Sequence, residues 1–205
     1  MPKADIATVS PVLLVVGLLL PAVLGPYVRE RPLDIFILGI PMKLCTSLLN
    51  WYMFQFAANA YKEGATPGTA FFLPLVTTMI LHEIAGTTIF VAQMAFFSQV
   101  SDPAIGGTYM TMLNTVANLG HKWPNSLVLW LLPKLTFETC IPATVNGAEP
   151  VCEIWLDGYT CATALGMLWG ILFLAFLSPI IRNLQALPRE KWLISTQGTH
   201  SMKLA

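Results

Sequence analysis

Apolar residues run through this chain in five long blocks parted by short polar stretches. No charge interrupts Ile6 to Val28 or Gly158 to Ile181. Between them lie an apolar block over residues 34–61 broken by Lys43, one over 69–100 broken by His82 and Glu83, and one over 103–132 broken by His121 and Lys122. A helix needs about 20 apolar residues to cross the hydrocarbon core of a bilayer, so each block predicts a transmembrane helix. The expected fold class is an all-α membrane protein. Its transmembrane domain covers residues 1–182, with helices over 6–28, 34–61, 69–100, 103–132 and 158–181, a loop over 133–157 and a tail over 183–205. The first block is longer than the apolar part of a signal peptide. Pro21, Gly25 and Pro26 form no small-x-small cleavage site there, so it is expected to be a mature span.

Polar positions inside the blocks sharpen this picture. In the fourth block Asp102 can cap a helix that starts on Pro103, where no N–H is needed. Gly106 and Gly107 would let a neighbouring helix approach closely. Thr108, Thr111, Asn114, Thr115, Asn118 and then His121 or Lys122 follow at steps of three and four, which places them on one helix face. Such a stripe either binds the helix to its neighbours or lines an aqueous cavity. Trp123-Pro124 predicts a bend or break. The third block carries Thr78, His82, Gly86 and Gln93 near helical spacing, with Glu83 one position round. Ionisable groups in a span are costly and face the bundle interior, so His82 and Glu83 read as a proton relay or as a structural pair. The second block carries Lys43, Ser47 and Asn50. Lys43 lies too deep to snorkel with ease and calls for a carboxylate partner or an anionic ligand. Glu83 meets that need if the two spans are antiparallel. Trp51, Tyr52, Trp123 and Trp130 read as interfacial or packing aromatics. The first and fifth blocks lack central polar groups and belong at the periphery, with Gly166 and Gly170 at the spacing of a small-residue packing motif.

Composition supports the membrane class. Of 205 residues, 55% are hydrophobic and 11% charged, with a mean hydropathy of +0.65; soluble domains carry about 25% charged residues. Eleven basic and eleven acidic side chains cancel, so no nucleic-acid partner is expected. Loop charge sets the orientation, since basic loops stay cytosolic. Arg29 and Arg31 follow the first block; Arg182, Arg189, Lys191 and Lys203 follow the fifth. The loop between the fourth and fifth blocks holds Glu138, Glu149, Glu153 and Asp157 against Lys134. The first loop and the tail are therefore expected in the cytosol and the 133–157 loop outside it. The N-terminus then lies outside, an arrangement that reads as part of a larger transporter. Cys140, Cys152 and Cys161 are in or near the acidic loop, and Cys45 is within a span. Either Cys140 and Cys152 pair in an oxidising compartment or the thiols stay free. His82-Glu83 lacks the second histidine of a zinc protease motif. No nucleophile elbow, phosphate loop or metal-type cysteine pair is present. Neither an enzyme nor a cofactor is expected.

The string Ser101-Asp102-Pro103-Ala104-Ile105-Gly106-Gly107-Thr108-Tyr109-Met110-Thr111-Met112-Leu113-Asn114-Thr115-Val116-Ala117-Asn118-Leu119-Gly120 resembles the signature segment of the acetyl-coenzyme A transporters of the endoplasmic reticulum. The resemblance extends to Trp123-Pro124, to Asp157-Gly158-Tyr159 and to the cysteine-bearing loop. It is strongest over residues 93–132 and faint in the first two blocks. It implies a partial major-facilitator helix bundle, in which twelve helices form two six-helix halves and these five spans correspond to helices eight to twelve. That placement agrees with the orientation read from loop charge. Two departures stand out: the helices before the eighth are missing, and His121-Lys122 replaces small or uncharged polar residues.

What the resemblance implies is a multi-pass protein of the endoplasmic reticulum membrane that carries acetyl-coenzyme A from cytosol to lumen, with free coenzyme A as a plausible counter-substrate. The ligand's phosphates need cations or polar donors, which Lys43, His82, His121 and Lys122 could supply. Thr111, Asn114 and Asn118 could bond the pantetheine amides. Asn50, Thr78, Glu83 and Thr108 complete the candidate set. In this superfamily the substrate lies between two halves, so another copy or the missing N-terminal half would supply the opposite wall. Two rival readings stay open: the same fold with another cargo such as a peptidoglycan fragment, and a non-transporting truncated membrane protein that assembles with a full-length copy.

Overall fold

The computed structural model describes residues 10–62, 69–141 and 151–193. Five long helices carry the chain: α1 (Ser10–Val28), α2 (Pro32–Lys62), α3 (Thr69–Val100), α4 (Gly106–Leu131) and α5 (Gly158–Gln185). Two strands, β1 (Phe137–Ile141) and β2 (Val151–Leu156), lie between α4 and α5. Single 3₁₀ turns cover Leu132–Leu135 and Arg189–Trp192. By length and apolar composition, α1, α2, α3 and α5 can each cross a bilayer. α4 is long enough too, but its polar stripe dilutes its hydropathy. The fold is that of an all-α membrane protein.

The chain divides into two compact units, residues 1–115 with 170–205, and residues 116–169. In the first, side-chain contacts fix the direction of each helix. Gly39 faces Ile89, Thr46 meets His82, and Phe56 stacks on Phe71, so α2 and α3 are antiparallel. Gly17 faces Glu83 while Arg29, just past α1, meets Gln99, so α1 and α3 are parallel. Gly170 faces Leu44 while Gln185 meets Leu33, so α5 runs against α2. These directions alternate as five successive crossings require. They also put the loop holding Arg29 and Arg31 at the same end as Arg182 and Arg189.

Small residues bring these helices close. Ala85 and Ala92 on α3 have no exposed surface. A Cβ added to Gly39 would lie 2.6 Å from Ile89 Cγ1. In a bilayer, packing of this kind replaces the hydrophobic effect as the force between helices. Most large apolar side chains point outward instead: Leu14, Leu18, Leu73 and Trp169 are each more than 60% exposed. In water such a surface would aggregate; against lipid tails it is at home. At the basic end, Pro32 is fully buried at the first position of α2. The free N–H groups of Leu33 and Asp34 donate to Gln185 Oε1 at 2.6 and 3.3 Å. A side chain of α5 thus caps α2, a task normally local to the chain. Asp34 also takes Arg31 at 3.6 Å and Arg182 at 4.0 Å.

The second unit contains the segment 133–157, expected as a loop. The structure makes most of what is described there a β-hairpin. β1 and β2 are antiparallel and pair Glu138 with Ile154, Thr139 with Glu153, Cys140 with Cys152 and Ile141 with Val151, with an irregularity at Phe137/Glu138. Thr139, Val151, Ile154 and Trp155 are good strand formers, and the tilted Phe137–Trp155 ring pair at 5.6 Å closes its base. α5 starts tightly against this base: Gly158 N donates to Thr136 Oγ1 at 3.1 Å, and a Cβ on Gly158 would collide with the Leu132 carbonyl oxygen.

Two boundaries differ from the sequence reading. Pro103 does not open α4; residues 103–105 form a turn, held by Ala104 N donating to Asp102 Oδ1 at 2.9 Å and Ile105 N to the Asp102 carbonyl at 3.2 Å. Asp102 therefore caps this turn and the helix begins at Gly106. α4 runs through Pro124 without a break and ends at Leu131, close to the expected bound. α5 runs four residues past Ile181 to Gln185, long enough to deliver its cap to α2. Gly106 and Gly107 face open space, as does Gly166, and only Gly170 of the small-residue pair packs against a neighbour, Leu44.

Candidate functional site

The centre of the first unit holds the ionisable residues of α2 and α3. Antiparallel packing brings Lys43 beside His82. Lys43 Nζ donates to the His82 backbone carbonyl at 3.3 Å. That oxygen is reachable because position 86, one turn on, has no side chain: a Cβ on Gly86 would lie 3.1 Å from Nζ. His82 Nδ1 shares a hydrogen bond with Thr46 Oγ1 at 3.2 Å, and Thr46 also donates to the Lys43 carbonyl at 3.0 Å. Glu83 points toward α1, where a Cβ on Gly17 would meet its Oε1 at 3.5 Å. Thr87 Oγ1 donates to the same Oε1 at 3.3 Å. Lys43, His82 and Glu83 are all half-buried.

Such an arrangement is costly inside a bilayer unless each charge has a partner. Lys43 has found a carbonyl dipole and Glu83 a hydroxyl. The direct Lys43–Glu83 ion pair expected from depth is not made, although the two charges attract each other at longer range. A carbonyl leaves most of an ammonium charge uncompensated. The cluster therefore retains capacity for an anionic ligand group at Lys43.

Other sequence candidates fall elsewhere. Thr78 is buried and its hydroxyl donates to the Leu75 carbonyl at 2.8 Å. Asn50 is half-buried on α2, two turns beyond Lys43. Thr108, Thr111, Asn118, His121 and Lys122 are exposed on α4, with Asn114 half-buried. The hydroxyls of Thr111 and Thr115 turn back onto their own helix, donating to the Gly107 and Thr111 carbonyls at 2.8 Å. These two side chains therefore do not join α4 to a neighbour. The residues that sequence reasoning missed are Thr46, Thr87 and Gly17. The first two stand three and four positions from Lys43 and Glu83, which is the available signal; nothing local marks Gly17. Cys140 and Cys152 are cross-strand partners in the hairpin register. Among the described residues, no group of three or more His, Cys, Asp or Glu could hold a metal ion.

A bundle of lipid-facing helices with a polar, ionisable centre defines a multi-pass membrane protein. Residues 29–194 match the family model described as acetyl-coenzyme A transporter 1. The chain belongs to this family. An uncharacterized protein of Schizosaccharomyces pombe is 30% identical over 194 residues, which cover 88% of this chain and 36% of that protein. An uncharacterized membrane protein of Saccharomyces cerevisiae is 31% identical over 170 residues, 75% of this chain and 30% of its own length. A second uncharacterized yeast protein is 29% identical over 99 residues, 40% of this chain and 78% of its own. The chain thus spans about a third of the length of the first two relatives. No solved structure matches it.

Proposed function

We propose that this chain contributes helices to a carrier, not an enzyme, that moves acetyl-coenzyme A from the cytosol into the lumen of the endoplasmic reticulum. Membership of the acetyl-coenzyme A transporter family carries the cargo, and the polar cluster on α2 and α3 gives that cargo a place to bind. Acetyl-coenzyme A bears several phosphate charges and a long chain of amides. Lys43 offers it a cation that donates to a neutral carbonyl and is attracted by Glu83 without forming an ion pair. A phosphate adds a full negative charge that a carbonyl lacks, so it competes with the carbonyl for the ammonium. Thr108, Thr111 and Asn114 on the first part of α4 are groups of the kind that bond amides. Free coenzyme A, which keeps the phosphates, fits the same groups and serves as counter-substrate. Arg29, Arg31, Arg182 and Arg189 mark the cytosolic end under the positive-inside rule, which leaves the C-terminus in the cytosol. In the major-facilitator scheme a further set of helices, in a longer protein or a second copy, faces this wall.

Uptake of labelled acetyl-coenzyme A into proteoliposomes containing the chain joined to the further set of helices tests this reading. Saturable uptake, competed by free coenzyme A and not by a peptidoglycan fragment, is the expected result. Uptake that does not saturate, or that the peptidoglycan fragment blocks, rejects the proposed cargo.

A further inference from the structure

The basic end of the first unit encloses a second polar space, separate from the Lys43 cluster. A cleft of about 470 Å³ opens between the α1–α2 loop, the end of α3 and the segment after α5. Arg29 and Arg189 line it from opposite sides in sequence, with Gln99, Gln185, Phe96 and Trp192. Among the described residues neither guanidinium has an ion-pair partner; the nearby carboxylate of Asp34 is taken by Arg31 and Arg182. Glu30 is the one acid on the lining, so positive charge prevails. The walls are braced: Gln99 Nε2 donates to the Arg29 carbonyl at 2.7 Å, and Gln185 Oε1 holds the start of α2. Trp192 meets Phe96 edge-on at 5.9 Å, as an aromatic residue at the level of lipid headgroups does.

We infer that this cleft binds the phosphate of an anionic phospholipid headgroup. Its position favours a lipid over a soluble ligand. It opens where the apolar surface of α5 ends, and Leu177, Ile180 and Leu184 on that surface are exposed and available to acyl chains. An arginine fork matches phosphate oxygens in a way that an ammonium does not. Basic pockets at the cytosolic ends of membrane helices hold anionic headgroups by this chemistry. The ends of α3 and α5 add partial negative charge near the cleft, but two full guanidinium charges outweigh it. The lipid site involves no cargo and is independent of the transport reading.

Native mass spectrometry of the purified chain, released from detergent containing equal phosphatidylinositol and phosphatidylcholine, reads this directly. Retention of phosphatidylinositol over phosphatidylcholine is expected, with a loss of preference of about fivefold for each arginine replaced in Arg29→Gln and Arg189→Gln. Lys134→Gln, a basic residue of the other unit, should leave the preference unchanged. Where the double variant fails to fold, Arg189→Gln alone carries the test, because it lies on an exposed turn after α5. Equal retention of the two lipids by the unaltered chain overturns the inference, as does a preference that both arginine variants keep. Displacement of bound phosphatidylinositol by millimolar coenzyme A would assign the cleft to a soluble phosphate and also overturn it.

Discussion

At the scale of single residues, the polar centre depends on side chains that are absent as much as on those present. Lys43 reaches the His82 carbonyl close beside Gly86, where a Cβ would stand 3.1 Å from Nζ, and Glu83 faces α1 where position 17 is glycine. Gly86→Leu would push the ammonium off its acceptor and leave a half-buried charge without a partner. A loss of about 1–3 kcal/mol is expected, read as a lower melting temperature in detergent; an unchanged melting temperature would show that the Lys43–His82 contact holds nothing. The ionisable members of this centre are legible in the sequence, since a charge within an apolar block stands out. Their partners are not. Helical spacing tells how deep Lys43 and Glu83 lie but not how each helix is rotated, and rotation decides that Lys43 meets a backbone oxygen instead of the Glu83 carboxylate.

At the scale of elements, apolar block length finds the helices, and α1, α2, α3 and α5 are placed to within a few residues. Ends are harder, because they are set by partners remote in sequence. Gln185, not a residue near Pro32, satisfies the first N–H groups of α2, and the turn closed by Asp102 delays α4 to Gly106. The hairpin between α4 and α5 has little alternation to announce it; its strands are short and held by pairing across the loop. Its register has a chemical consequence. Cys140 and Cys152 are directly opposed, and opposed antiparallel positions have Cα atoms about 4.5–5.5 Å apart, within the range a disulfide spans. In an oxidising lumen the pair should close, and the bond should be worth ~3 kcal/mol. Peptide mapping without reductant should find Cys140 linked to Cys152, with Cys161 free. Two unlinked peptides, from protein prepared out of microsomes, would place the hairpin in a reducing compartment and reverse the orientation read from loop charge.

At the scale of the molecule, contacts remote in sequence give α1, α3 and α5 one direction and α2 the other, so all the arginines of the α1–α2 loop and of the α5 end collect together. Loop charge in the sequence already asks for that arrangement, and membership of the acetyl-coenzyme A transporter family is what the proposed cargo rests on. Neither locates a binding site; the proposed one is at Lys43 on α2, which has no ion-pair partner among the described residues. The most direct test of this account is calorimetric titration of acetyl-coenzyme A into the detergent-purified chain and its Lys43→Met variant. Methionine keeps the length and apolar stem of lysine and removes only the charge. Saturable binding is expected, weakened about tenfold or more in the variant, with the helical circular dichroism signal unchanged. Equal affinity in the two proteins would contradict it, and would move the ligand away from the charged centre of α2 and α3.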